Sequence, residues 1–116
     1  MAEASISEKQ AIIDALLRKY PALVVPELTI RYDWLLDEHP FYVGIAASTL
    51  TTEQGTTVLI SSLGLGLSEK ELALTILHET YHALHPEDQG AGQEERAEEF
   101  AHARWAGIQE RYEGNM

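Results

Sequence analysis

Apolar residues recur along this chain with two different periods, which divide it into helical and extended segments. After a capping pattern that begins at Ser7, they fall on one side of a helical wheel from Ala11 to Leu17. This spacing predicts an amphipathic helix of about three turns. The helix should end before Pro21, because proline disfavours helical backbone angles in the residue that precedes it.

Three β-prone segments follow this helix. From Glu27 to Trp34 apolar and polar residues alternate, as in a half-buried strand. The Phe41–Leu50 segment is rich in small residues and suits an edge strand, whereas Thr56–Ser61 is more continuously apolar and suits an inner strand. The Thr51–Gly55 linker between these two segments predicts a hairpin. The pattern therefore predicts a three-stranded, mostly antiparallel sheet.

Two further helices complete the pattern. The glycine-containing stretch Leu63–Leu67 lacks the spacing of a phosphate-binding loop, so we expect a plain connection there. A capping box at Ser68–Glu71 starts the next helix, which should end just before Pro86. The last helix is expected from about Gln93 to Tyr112. This order of elements predicts an α+β fold, with residues 1–116 as a single domain.

Composition narrows the classes of function. The chain has 116 residues and a formal net charge of −11, which disfavours nucleic acid and anionic membranes as partners. It has no cysteine, so histidine and carboxylate side chains would have to hold any metal. The first ten residues do not look like a secretion signal, and no apolar run is long enough to span a membrane. We therefore expect a cytoplasmic protein.

The strongest chemical signal lies within the helix that follows the capping box, in the sequence His78-Glu79-Thr80-Tyr81-His82. Histidines four positions apart on a helix point in the same direction and can share a metal ion. A glutamate beside the first histidine can take a proton from a metal-bound water. The pattern predicts that His78 and His82 bind Zn²⁺ and that Glu79 is the general base of a hydrolytic reaction.

The sequence leaves several candidates for the third protein ligand of the metal. Glu94 and Glu98 share one face of the last helix, so one can bind the metal while the other accepts a hydrogen bond from a ligating imidazole. Asp88, six residues after His82, and His102 on the last helix are the alternatives.

The segment Leu77–His85, followed by the pattern Glu94-x-x-Ala97-Glu98-x-Phe100-Ala101, resembles the ImmA/IrrE family of zincin-like metallopeptidases. The resemblance, from Phe41 to Ala101, covers about half of the chain. It implies a minimal zincin-like fold of the gluzincin type, in which an active-site helix faces a C-terminal glutamate helix. By position, the family's site residues would be the metal ligands His78, His82 and Glu94, the general base Glu79, and Glu98 as the residue that braces the site.

The expected activity is zinc-dependent hydrolysis of peptide bonds in a peptide or protein substrate. An extended substrate would pair with the Phe41–Leu50 segment near Ala46, Ala47 and Ser48. A regulatory or interaction protein that binds zinc without cleaving peptides is one alternative. A latent peptidase blocked by Glu110–Met116 is another, and a helical binding domain without metal is a third.

Overall fold

The computed structural model describes residues 6–38 and 44–113, except for the side chain of Glu113. The described residues form five α-helices, one 3₁₀ turn and a three-stranded sheet. In chain order the elements are α1 (Ile6–Lys19), the 3₁₀ turn (Pro21–Leu23), β1 (Leu28–Tyr32), α2 (Leu35–Glu38), β2 (Ala47–Thr52), β3 (Gly55–Ile60), α3 (Ser62–Leu65), α4 (Glu69–Leu84) and α5 (Gln93–Glu113). The α+β class is confirmed.

The sheet has the order β1-β3-β2, with β3 in the centre. The predicted hairpin is confirmed, because β2 and β3 are antiparallel and their last paired residues are Thr52 and Gly55. In contrast, β1 runs parallel to β3, so the sheet is mixed and the prediction of a mostly antiparallel sheet is wrong for this pair. Alternation in β1 cannot reveal this difference, since parallel and antiparallel strands have the same side-chain period.

The core lies between the sheet and the helices α1, α4 and α5. In β1, Leu28, Ile30 and Tyr32 are buried while the residues between them are exposed, as the alternation predicted. The helix α4 packs on the sheet, and α5 packs on α4. On α5 the small side chains of Ala97 and Ala101 are fully buried. Their size allows the backbones of two packed helices to approach closely, which brings the polar residues of α4 and α5 within reach of one another.

The segment that precedes β2 is held in place by α3. The expectation of a plain connection at Leu63–Leu67 is wrong, because residues up to Leu65 belong to this short helix, which the Ser61 side chain caps. The Ser61 hydroxyl donates to the carbonyl oxygen of Ile45 at 2.7 Å, and its N–H donates to that of Ala46 at 2.9 Å. Gly64 lies so close to this segment that an added Cβ would be 2.6 Å from the oxygen of Ala46.

The strand predicted from Phe41 to Leu50 differs in its bounds. Residues 41–43 lie outside the described residues, while β2 starts at Ala47 and continues to Thr52. The strand is at an edge of the sheet, as its small residues predicted.

The capping box at the start of α4 is confirmed. The Ser68 hydroxyl accepts a hydrogen bond from the Glu71 N–H at 3.2 Å and donates one to the Glu71 carboxylate at 3.0 Å. The helix ends at Leu84, with His85 as its C-cap, in agreement with the position of Pro86. In the described parts of the chain, no helix is long and apolar enough to cross a membrane.

Candidate metal centre

Two imidazole rings of α4 meet at the start of α5. His78 and His82 are one helical turn apart, and their Nε2 atoms are separated by 3.2 Å. The two side chains are mostly buried, with exposed fractions of 17% and 22%. The i, i+4 spacing explains why both rings point in the same direction. This pair provides two nitrogen ligands on one face of one helix.

Glu94, in the first turn of α5, completes a group of three. Its Oε1 is 2.7 Å from Nε2 of His78, and its Oε2 is 3.2 Å from Nε2 of His82. Among the described residues, these three side chains form a group whose ligand atoms all lie within 4.8 Å of one another. The structure therefore brings together the three residues that the family resemblance assigned as metal ligands.

The separations between these atoms suit a tetrahedral zinc ion. Bonds of about 2.05 Å at tetrahedral angles place two ligand atoms about 3.3 Å apart. The two Nε2 atoms are 3.2 Å apart, and Oε1 of Glu94, the oxygen nearer to His78, lies 3.4 Å from Nε2 of His82. The contact of Glu94 with His78, at 2.7 Å, would lengthen by about half an ångström. Two imidazoles and one carboxylate are also a ligand set of catalytic zinc sites, which leave a fourth position open.

Glu98, one turn beyond Glu94, contacts the other side of the first imidazole. Its Oε1 lies 2.9 Å from Nδ1 of His78, so a proton on Nδ1 can be donated to it. In the neutral ring, that tautomer leaves a lone pair on Nε2. This lone pair then faces the carboxylate of Glu94, an arrangement that an extra proton or a cation must neutralise. Glu98 therefore has the position of a brace that orients a metal ligand.

The electrostatics of Glu94 also favour a charged carboxylate. Partial burial raises its pKa, but the hydrogen bond from His78 and the charge interactions with both histidines outweigh that effect. The net result is a pKa below the ordinary value for glutamate.

Glu79, the predicted general base, lies beside the first histidine. The Thr49 hydroxyl of β2 donates a hydrogen bond to its Oε1 at 2.7 Å. Thr49 was not among the predicted site residues. The signal was present, because the period of a strand places Thr49 on the same face as Ala47, the face that packs on α4. This contact links the edge strand to the candidate base.

A cleft with a volume of about 410 Å³ opens between β2 and α4, beside these residues. Its lining includes Ala46, Ala47, His78 and Glu79. Within β2, the side chain of Ser48 points to the face opposite that of Ala47, and Ser48 is not among the lining residues; Ala46 precedes the strand. A contact between substrate and Ser48 therefore stays a prediction.

The alternative ligand Asp88 has other partners. The guanidinium of Arg96 donates two hydrogen bonds to its carboxylate, at 2.8 and 2.5 Å, and the Tyr81 hydroxyl donates a third. The hydrogen bonds from Arg96 and Tyr81 hold the pKa of Asp88 well below its usual range. Asp88 is therefore a structural residue that ties the loop before α5 to both helices.

The alternative ligand His102 is also apart from the two histidines. Its Nε2 lies 3.6 Å from the Oε2 of Glu98, and the side chain is 61% exposed. His102 thus contacts Glu98 and is outside the group of three that could share a metal.

The C-terminal segment expected to block a latent enzyme follows a different course where it is described. Residues 110–113 continue α5, and the ring of Tyr112 lies 6.0 Å from that of Tyr20. No residue of this part lines the cleft. Residues 114–116 lie outside the described residues.

Comparisons with protein-family models, with curated protein sequences and with solved structures find no match to this chain. The geometry of the site is therefore the basis for inferring a function.

Proposed function

We propose that this protein is a zinc-dependent metallopeptidase with a minimal zincin-like fold, similar to the ImmA/IrrE family. One observation carries the proposal: two imidazole nitrogens and a carboxylate converge at zinc-ligand spacing beside a glutamate and an open cleft. In this proposal His78, His82 and Glu94 bind the metal, and Glu98 orients the first imidazole through Nδ1.

The proposed reaction assigns a separate task to each side chain. Zinc, when bound, would polarise the substrate carbonyl and lower the pKa of a water molecule toward ~7. Glu79 takes a proton from that water as it attacks, and returns the proton to the leaving amine. Thr49 holds the carboxylate of Glu79 on the side of the cleft, which fixes the base before substrate arrives. Glu79 lines the same cleft as His78, as this division of tasks requires.

The edge strand β2 supplies a surface for an extended peptide. The N–H of Ser61 bonds to the carbonyl of Ala46, so the alternation of an antiparallel ladder turns the main-chain groups of Ala47 and Thr49 outward. A peptide that added to this edge would gain main-chain hydrogen bonds and would lie beside Glu79.

A zinc-binding regulatory or interaction protein without peptidase activity is the second candidate. The observation that favours it is the chemistry of the cleft. Apart from the proposed ligand His78, the residues of the lining that the structure describes include no lysine, arginine, histidine or tyrosine that could stabilise an oxyanion. Such a protein would bind zinc stoichiometrically and lose stability on chelation, without turnover of peptides.

The test is to measure zinc content and peptide cleavage in the wild type and in Glu79→Gln. We expect about one zinc per chain in both, and cleavage of a mixed peptide library in the wild type alone. Glu110→Gln is the matched control, because it also removes one charge but lies near the far end of α5. Full cleavage by Glu79→Gln would refute the mechanism. Zinc binding without cleavage by the wild type would support the second candidate.

A further inference from the structure

The cleft extends well beyond the metal group along α4. Glu71, Leu74, Thr75 and His78 line it at positions that recur about every turn on one face of the helix. His78 lies seven positions after Glu71, which corresponds to about 10.5 Å along the helix axis. The cleft therefore has a distal end, two turns from the proposed site of cleavage. A substrate that made only main-chain contacts with β2 would leave this end unfilled.

The walls between these two ends are apolar. Leu67 and Leu74 are half-buried at the margin of the core, and the small side chains of Ala46 and Ala47 lie across from them. Such walls accept an unbranched hydrocarbon stem and offer it no hydrogen-bond partner. A short polar side chain would gain no hydrogen bond from these walls.

A carboxylate stands at the distal end of these walls. The Ser68 hydroxyl donates to one oxygen of Glu71 at 3.0 Å as part of the helix cap. Within the described parts of the chain, none of the ion pairs involves Glu71. The other carboxylates of the lining, Glu79 and Glu98, are engaged by Thr49 and by His78. Among the described residues Glu79 also has no ion pair, but it is the proposed base. Glu71 is thus the cleft carboxylate that has neither a cationic partner nor a task in the proposed reaction.

We propose that this cleft selects a lysine or arginine side chain of the substrate, with its stem against Leu67 and Leu74 and its charge at Glu71. The inference rests on the proposed peptidase function and names its substrate class. A basic side chain combines a long apolar stem with a charged end, which matches apolar walls that lead to a carboxylate. A free peptide amino terminus fits less well, because an exopeptidase would have to hold it next to the scissile bond and not two turns away.

The experiment compares peptides that differ in charge alone. A short alanine-rich peptide, acetylated at its amino terminus, carries one lysine that is moved through the positions around the scissile bond. Each peptide has a twin with norleucine, which keeps the stem and lacks the charge. Cleavage and binding are measured for zinc-loaded wild type and Glu71→Gln, with Glu110→Gln as control. Glutamine at position 71 keeps the capping box, so α4 should fold normally.

We expect the wild type to prefer lysine over norleucine at one position by about fivefold in kcat/KM, as for a partly exposed ion pair. Glu71→Gln should lose this preference without losing cleavage of the norleucine twin, and Glu110→Gln should keep it. The preference should also weaken as salt concentration rises. A lysine preference that persists in Glu71→Gln, or its absence in the wild type, would overturn the assignment.

Binding separates this inference from the proposed function. Suppose that no peptide is cleaved, but that the wild type binds the lysine peptide about fivefold more tightly than its norleucine twin and Glu71→Gln does not. That result would support the site for a basic side chain and refute the proposed hydrolysis. If the lysine and norleucine peptides are cleaved equally well, the proposed hydrolysis is supported and the site for a basic side chain is refuted.

Discussion

The two glutamates of α5 are expected to differ in their effect on zinc affinity. Glu94 contacts the Nε2 atoms of both histidine ligands, whereas Glu98 contacts only Nδ1 of His78 within this pair. Glu98→Gln keeps an acceptor at Nδ1 but removes its charge, and loss of such a partner weakens metal affinity by about 10- to 100-fold. That range corresponds to about 1.4–2.7 kcal/mol. Glu94→Gln removes a charged ligand, so we expect a loss beyond about 100-fold.

Thermal unfolding turns these affinities into measurable shifts. Zinc at 100 times the wild-type Kd stabilises the folded state by about 2.7 kcal/mol. At about 4 °C per kcal/mol for a domain of this size, the wild-type Tm should rise by about 10 °C. At the same zinc concentration, Glu98→Gln should gain about 2–6 °C and Glu94→Gln less than about 2 °C.

The control for this comparison is Glu95→Gln. Glu95 lies on α5 between the two tested glutamates but is exposed and outside the metal group. It should show the full wild-type shift, measured by calorimetry with and without zinc. The assignment of the ligands would be refuted if Glu98→Gln lost the shift and Glu94→Gln retained it. Wild-type shifts in both variants would mean that α5 does not hold the metal.

Two predictions concern the framework of the site. Gly64→Ala should destabilise the fold by about 1–3 kcal/mol, because its Cβ would lie 2.6 Å from the carbonyl oxygen of Ala46; Gly66→Ala, where the nearest atom is 3.5 Å away, should be close to neutral in calorimetry. Equal effects of the two substitutions would contradict this account. Burial raises the pKa of Asp37, but hydrogen bonds from the Tyr32 hydroxyl and from Ser62 lower it by more. The net pKa therefore lies below the ordinary value of 3.8. The stability that Asp37 contributes is therefore complete above its unfolded pKa and is lost as pH falls through the lower folded value. Asp37→Asn should have lower stability at neutral pH and a flatter decline below about pH 4 in urea unfolding, and an unchanged acid decline would contradict it.

Local signals in the sequence were sufficient for most elements of the fold. The helix that begins after Ser68 and ends before Pro86 was predictable from its cap and from proline sterics, both of which act over a few residues. The alternation of β1 and the hairpin of β2 and β3 were predictable for the same reason. The parallel pairing of β1 with β3 was not, because it depends on the path of the intervening chain and leaves no local pattern.

The candidate site likewise has a part that was predictable from local sequence and a part that was not. The sequence alone determined that His78 and His82 share a helix face, with Glu79 beside the first, since helical spacing dictates this. Only the tertiary structure decided which acidic residue meets them. The burial of Ala97 and Ala101 lets α5 approach α4, which brings Glu94 to the imidazoles and Glu98 behind one of them, while Arg96 engages Asp88. Such contacts form between residues distant in sequence, and their identity depends on how two helices pack.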